Sequence, residues 1–242
     1  NRVKASTTST SKLVLLEEKG IVPFLIDSQN STTLTLNLDK IVHCDILVIA
    51  IPVKNEYEKY LALLHQIAHH SYISQIKQII FISSSSVYPA IEKNMSEEES
   101  ITALNTSKKI IFESEQVFLQ KNLPLVILRC AGLMGYNRIA GKYFAHKILD
   151  CKKERVNYVH RDDVVDIIDL IISLNIKDKI YNLCAPQHPT KEEVYLSNAK
   201  KHGFVTPIFK NTKVYKERLI DGSNVTKELG YIYKYQNPID FK

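Results

Sequence analysis

Short apolar runs alternate with stretches of helical period, and no other feature of the sequence constrains the fold as tightly. Ile46 to Ile51 is a continuous apolar run stopped by Pro52, which suits a parallel strand buried on both faces. Glu56 to His70 follows with helical spacing, placing Tyr60, Leu64 and Ile67 on one face. Gln78 to Ser83 reads as a second buried strand, Ser107 to Gln120 as a helix and Pro124 to Cys130 as the next strand. Asp162 to Leu174 reads as a helix with Val165, Ile168 and Ile172 in its apolar stripe, and Lys179 to Leu183 as a short strand. Nearer the start, Asn1 to Ser6 reads as the end of a strand, Thr10 to Lys19 as a helix closed by Gly20, and Val22 to Ile26 as a strand. Thr190 with Glu193 three residues on forms a capping box for a helix ending near His202. Strands alternating with helices predict an α/β fold with a doubly wound parallel sheet.

Composition narrows the class. A chain of 242 residues makes one domain, or one domain with a small C-terminal lobe. Its 45% hydrophobic and 24% charged content is that of a globular protein, not a disordered one. No apolar run is long enough to cross a bilayer and no signal peptide is visible, so no membrane partner is expected. The chain starts with Asn, so it is expected to begin inside a longer natural one. The formal charge is +6, but the lysines are scattered, and the densest cluster, Lys152, Lys153 and Arg155, is small. A solvated surface accounts for it, and no nucleic-acid partner is expected. Cys44, Cys130, Cys151 and Cys184 show no CxxC spacing, and three of them lie in apolar runs. Buried free thiols and a reducing cytoplasm follow. His160 and Asp163 have no third or fourth ligand nearby in sequence, so no metal is expected.

Chemistry concentrates in Phe81-Ile82-Ser83-Ser84-Ser85-Ser86-Val87-Tyr88-Pro89, where a buried strand runs into four serines and a Val-Tyr pair. The carboxyl edge of a parallel strand is where such sheets bind ligands. On composition alone this is a polar loop. Further along stand Leu128-Arg129-Cys130-Ala131-Gly132-Leu133-Met134-Gly135, then Val156-Asn157-Tyr158-Val159-His160-Arg161-Asp162-Asp163-Val164, Tyr181-Asn182-Leu183, and Leu229-Gly230-Tyr231. Asp162 or Asp163 is suited to capping the helix that begins there. In this order the segments resemble those of extended short-chain dehydrogenases/reductases, the group containing nucleotide-sugar epimerases and dehydratases. The resemblance covers essentially the whole chain, with Pro89 where the common pattern has Gly.

The resemblance implies a Rossmann-type sheet with a small C-terminal substrate lobe: residues 1–135 as the NAD(P)-binding core, and 136–242 completing the sheet and forming the lobe. It places Ser84 at the family's catalytic Ser or Thr. It also puts Ser83 at the cofactor, and Ser85, Gly132 and Met134 at the substrate. The family's Tyr-x-x-x-Lys pair is not recognisable. Aligned on Glu115 its positions fall on Ser107 and Ile111; aligned on Glu113 they fall on Asn105 and Lys109. Tyr88 and Lys109, or a water, are then the candidate proton donors. The glycine loop that cradles a pyrophosphate is also missing, because Gly20 is the first glycine and Asn1 to Ser6 match the family's second strand. In strand order 3-2-1-4-5-6 the first strand is central. A continuous sheet is therefore expected, its slot filled by a segment ahead of Asn1 or by another segment.

At the end of the second strand the family uses a carboxylate on the ribose. Here Ser6, Thr7 and Thr8 stand there, with Lys12 nearby, which tilts the cofactor from NAD toward NADP. An N-cap cluster explains the same residues equally well. Asp27 falls at the adenine, and Ala50, Ile51 and Pro52 where the dinucleotide backbone passes. Two functions remain open. One is an NAD(P)-binding epimerase, dehydratase or reductase-like enzyme acting on a nucleotide sugar or another small polar carbonyl or hydroxyl substrate, a homodimer in the manner of its family. The other is a non-catalytic NADP-binding or sensor protein that has lost the tyrosine.

Overall fold

The computed structural model describes residues 2–26, 31–53, 56–150, 153–210 and 217–241. Asp27, Cys151 and Lys152 lie outside the described residues. The chain begins with β1 (Lys4–Thr7), α1 (Ser11–Glu17), β2 (Val22–Leu25), α2 (Ser31–Val42), β3 (Ile46–Ile49), α3 (Tyr57–Ala68) and β4 (Gln78–Ser84). It continues through β5 (Lys93–Met95), α4 (Lys109–Leu119), β6 (Leu125–Cys130), β7 (Gly132–Met134), β8 (Ile148–Leu149) and β9 (Tyr158–His160). Last come α5 (Arg161–Ser173), β10 (Lys179–Leu183), α6 (Lys191–His202), β11 (Ile208–Phe209), β12 (Arg218–Ile220) and α7 (Ser223–Leu229). The alternation read from the sequence is present, with ends shifted by a residue or two.

The main sheet is a four-stranded parallel ladder in the order β3–β4–β6–β10. Period-two alternation divides its residues between two cores. Leu47, Ile49, Ile79, Phe81, Leu125 and Ile127 pack on α2, α3 and α4 through residues such as Val42, Leu64, Ile67 and Phe118. Ile80, Val126, Leu128, Tyr181 and Leu183 point the other way and pack on α5 and α7 through Val164, Ile167, Ile171 and Val225. This is a sheet wound on both faces, a Rossmann-type α/β fold. Each fully buried Ile, Leu or Phe contributes roughly 1.5–3 kcal/mol of transfer free energy. Among the described residues no helix is long and apolar enough to cross a membrane.

The structure corrects the sequence reading in several places. The buried face of α5 is Val164, Ile167 and Ile171, and Val165 is exposed, so the stripe is turned by one residue. The cap of α5 is His160, whose Nδ1 accepts from the Asp162 N–H at 3.2 Å, rather than Asp162 or Asp163. The buried Asp163 carboxylate instead accepts from the Tyr231 hydroxyl (2.8 Å) and the backbone N–H groups of Lys234 (2.7 Å) and Tyr235 (3.2 Å), fastening the C-terminal segment to α5. Helix α2 was not foreseen. The capping box is as expected: Thr190 Oγ1 accepts from Glu193 N at 3.2 Å, and Glu193 accepts from Thr190 N at 2.7 Å.

Among the described residues no strand stands between β1 and β3, so the expected alternative of another segment of this chain filling the slot is not met. Among the described residues β1 pairs only with β2, and β3 only with β4. The expectation rested on the cost of burying unpaired backbone groups. β1 and β2 contain no buried residue, and Ile46 and Val48 of β3, expected to be buried on both faces, are exposed. Helix α2 joins the two half-sheets. Lys4 Nζ donates to the carbonyls of Lys40 (2.7 Å) and His43 (2.8 Å), and Asn37 Nδ2 donates to Leu25 O at 2.6 Å.

Candidate functional site

Strand β4 delivers the serine run to the carboxyl edge of the ladder, where it becomes a turn of 3-10 helix over Ser85–Val87. The four serines meet different fates. Ser83 is buried and donates to Glu115 Oε1 at 2.5 Å. Ser84 is half-buried; its Oγ accepts from Ser86 N at 3.2 Å and lies 2.9 Å from Ser86 Oγ. Ser85 is buried, so its side chain does not open toward a substrate. The accessible chemistry is therefore the Ser84–Ser86 hydroxyl pair.

Beneath it lies a polar network that the sequence reading did not foresee. Arg129, in the middle of an apolar strand, forks onto Glu115 through Nη2 (2.7 Å) and Nε (3.1 and 3.3 Å). Arg129 Nη1 donates to the Tyr88 hydroxyl at 3.1 Å, and that hydroxyl donates to Asn182 Oδ1 at 2.8 Å. Asn182 N and Asn224 Nδ2 then donate to the two oxygens of Glu97, each at 2.7 Å. Tyr88 is fully buried with both hydroxyl functions spent, and burial pushes its phenol up against the opposing pull of Arg129. A phenol so placed is a framework group; it does not face a substrate. The signal for this network was in the sequence: a charged residue in an all-apolar strand needs a buried partner.

The other candidate donor, Lys109, sits on the exposed first turn of α4, its ammonium 3.4 Å from Glu113. Neither alignment of the missing pair supplies a base. Asn105 closes a local turn, accepting from Thr102 N (2.8 Å) and donating to Ser100 O (3.0 Å). Ser107 does reach the serine turn, its Oγ within bonding distance of Ser86 O (2.9 Å) and of Tyr88 O. Arg218 Nη1 donates to Ser107 Oγ (3.1 Å), Tyr88 O (2.8 Å) and Pro89 O (3.2 Å), so strand β12 is pinned to the serine turn.

Gly132 and Gly135 serve packing. A Cβ on Gly132 would lie 2.5 Å from the Tyr158 ring, and one on Gly135 would lie 2.5 Å from His160 Nε2. Gly135 also adopts φ +121, which L side chains rarely take. Met134 is half-buried at the end of β7 and lines a surface cavity of about 190 Å³.

On the proposed cofactor side, Ser6 and Thr8 are exposed at the end of β1, and Thr7 Oγ1 accepts from Ser9 N at 3.1 Å. Lys12 is exposed and makes no side-chain hydrogen bond or ion pair among the described residues. Ser6, Thr7, Thr8 and Lys12 thus present hydroxyl and ammonium groups on this edge. Ala50 and Pro52 are exposed just past β3, with Ile51 half-buried between them.

No family model matches the chain. Protein YeeZ of Escherichia coli (strain K12) is 31% identical over 246 residues, covering 98% of this chain and 89% of the relative. Among solved structures, UDP-glucose 4-epimerase from Bifidobacterium longum, in complex with NAD+ and UDP, superposes with a TM-score of 0.79 at 16% identity, covering 99% of this chain and 88% of that one. UDP-glucuronic acid 4-epimerase from Bacillus cereus, in complex with UDP-glucuronic acid and NAD, gives 0.77 at 18% identity, with 99% and 88% covered. A functionally unknown conserved protein from Silicibacter pomeroyi gives 0.76 at 19% identity, with 98% and 87% covered. At these identities the solved structures establish the fold.

Proposed function

We propose that the chain, which belongs to one family with Protein YeeZ, is a member of the extended short-chain dehydrogenase/reductases of the NAD-dependent epimerase/dehydratase group, an NAD(P)-linked protein acting on a nucleotide sugar or another small polar carbonyl or hydroxyl compound. The Ser84–Ser86 hydroxyl pair, held at the carboxyl end of β4 over the Glu115–Arg129 network, carries this reading. Bound NAD(P) supplies the hydride acceptor and donor. Ser84 Oγ orients the reacting oxygen by hydrogen bonding. Tyr88 is sealed and Lys109 is drawn to Glu113, so the proton travels through the serine pair to water. Ser6, Thr7, Thr8 and Lys12 hold the ribose, and their lack of a carboxylate favours NADP. Ala50, Ile51 and Pro52 pass beneath the dinucleotide backbone. The same reading takes the protein as a cytoplasmic homodimer, in keeping with free thiols at Cys44, Cys130 and Cys184.

The test is turnover across UDP-sugars and small aldehydes and ketones with NADP(H) and NAD(H), comparing the protein with Ser84→Ala. Loss of an orienting donor lowers kcat by roughly 10²-fold or more; unchanged turnover removes Ser84 from the mechanism. Ser107 favours the second reading. On the alignment through Glu115 it stands at the family's tyrosine position, and it spends its hydroxyl on the carbonyls of Ser86 and Tyr88. A non-catalytic sensor would bind NADP(H) and turn over nothing in the panel.

A further inference from the structure

The part of the chain built from α6, β8 and β11 carries a surface that the proposed reaction leaves unused. In sequence, residues 139–149 and 194–210 hold Lys142, Lys147, Lys200, Lys201 and Lys210, with His146 and His202, and neither segment contains an Asp or a Glu. The whole chain has a net formal charge of +6, so most of its excess positive charge belongs to these two segments. Folding brings them together. Strands β8 and β11 pair in parallel, with Ile148 opposite Ile208 and Leu149 opposite Phe209. Strand alternation gives this ribbon two unlike faces. Leu149 and Phe209 pack inward around Val156, Val194 and Tyr195. Ile148 and Ile208 lie side by side on the outer face, 58% and 59% exposed. Lys210, two residues past Ile208, is exposed on that same face.

More apolar surface surrounds the ribbon. In the turn of 3-10 helix over Lys142–Phe144, Tyr143 is 73% exposed, and Phe144 stacks on Tyr195 with ring centroids 5.8 Å apart. The Lys147 ammonium lies 5.7 Å from the Phe144 centroid. Val205, between α6 and β11, is also exposed. Lys142, Lys147, Lys200 and Lys210 are exposed and pair with no carboxylate among the described residues, while Lys201 donates to Phe241 O at 3.0 Å. Exposed apolar side chains gathered among unpaired cations mark a docking surface, and charge complementarity asks for an anionic partner. Nucleic acid is gripped by guanidinium forks and by planar rings stacked on bases. These segments contain no arginine, and Ile148, Val205 and Ile208 are aliphatic. An anionic bilayer calls for the set that is present: apolar side chains that enter the headgroup boundary, and long flexible lysines that keep their ammonium groups at the phosphates.

We propose that this face docks the protein on the surface of an anionic phospholipid bilayer. Ile148, Ile208 and Tyr143 enter the headgroup boundary, and Lys142, Lys147 and Lys210 hold the lipid phosphates around them. Docking of a face needs no apolar run long enough to span, the feature whose absence argued against a membrane partner in the sequence. The face uses none of the residues assigned to the dinucleotide or to the reacting oxygen, so it stands or falls apart from the reaction.

Co-sedimentation of the full chain with vesicles tests it. The protein binds phosphatidylcholine vesicles containing about one-third phosphatidylserine and does not bind phosphatidylcholine alone, and raising NaCl from about 0.1 to about 0.5 M weakens binding roughly tenfold or more. Ile148→Ser with Ile208→Ser, both exposed positions, weakens it about fivefold or more. Lys142→Gln, Lys147→Gln and Lys210→Gln together weaken it about tenfold or more, whereas Lys19→Gln, Lys177→Gln and Lys227→Gln, exposed lysines elsewhere, change it about twofold or less. Circular dichroism of each variant matches that of the parent. No binding to anionic vesicles, equal binding to phosphatidylcholine alone, or equal loss from the two lysine sets overturns the proposal. Binding that the isoleucine pair leaves unchanged overturns it as well, and tighter binding to a single-stranded RNA than to the vesicles assigns the face to nucleic acid instead.

Discussion

Replacing Glu115 by Gln takes away the carboxylate that is paired with Arg129 beneath the serine turn. The Glu115 and Arg129 side chains are 1% and 6% exposed, so neither can turn to water once its partner is gone. At an effective dielectric near 20, two unit charges about 4 Å apart attract by ~4 kcal/mol. Breaking a buried pair from one side costs roughly 3–5 kcal/mol, because the remaining charge stays buried. Gln also turns an amide N–H₂ toward an Arg129 donor in either orientation, so at least one of the guanidinium's bonds fails, while the Ser83 hydroxyl can turn to accept. The expected loss for Glu115→Gln is therefore about 3–5 kcal/mol, and Arg129→Met loses a similar amount. The double variant loses much less than the sum, with a coupling of at least ~2 kcal/mol. The chain has no Trp, so urea unfolding is followed by far-ultraviolet circular dichroism. Single losses below about 1 kcal/mol, or strict additivity in the double variant, would refute the pairing as the keystone of this region.

Three further outcomes follow from the same geometry. Tyr88→Phe strands Arg129 Nη1 and Asn182 Oδ1, so urea unfolding should show a loss of about 1–3 kcal/mol; a pH–rate profile that loses a limb in this variant would instead make Tyr88 a proton donor. Gly135→Ala forces a Cβ to 2.5 Å from His160 Nε2 at φ +121, and should lower the thermal midpoint by several degrees, on the order of 1–3 kcal/mol; an unchanged midpoint would contradict the packing role. Glu193 is held below the ordinary carboxylate value of 4.5, first by the Thr190 N–H and then by its hydroxyl, so its contribution is present above that value and lost as pH falls through the lower folded one. Thr190→Ala should cost about 1 kcal/mol at neutral pH, and the difference between the two proteins should shrink as acid titration passes the Glu193 value; a difference that grows in acid would reverse the sign.

The sheet was legible because burial on both faces forces near-continuous apolar runs, and Gln78 to Ser84 and Leu125 to Cys130 are such runs; Ile46 to Ile49 is as apolar, although Ile46 and Val48 are exposed. Capping chemistry is equally local, which is why Thr190 and Glu193 announced α6. Helix α2 escaped because Thr-Leu-Thr-Leu-Asn-Leu alternates with the period of a strand, while tertiary packing of Leu38 and Val42 made it a helix. The polar network escaped for another reason. Arg129 and Glu115 are fourteen residues apart, and Tyr88 and Asn182 are ninety-four apart, so only the folded chain shows that they meet. Ser84 stands at the end of β4, where the serine run was expected to finish its strand, but the sealing of Tyr88 and the capture of Ser107 by backbone carbonyls depend on contacts made across the fold.

The most direct test of the dinucleotide-binding claim is calorimetric titration of the protein with NADPH and with NADH. Expected is binding of NADPH at ~micromolar Kd, weakened about fivefold or more by Lys12→Ala, with NADH weaker and indifferent to that change. Failure of both dinucleotides to bind would contradict the claim outright, and equal binding of both, insensitive to Lys12, would contradict the assignment of the hydroxyl cluster and its lysine to a ribose phosphate.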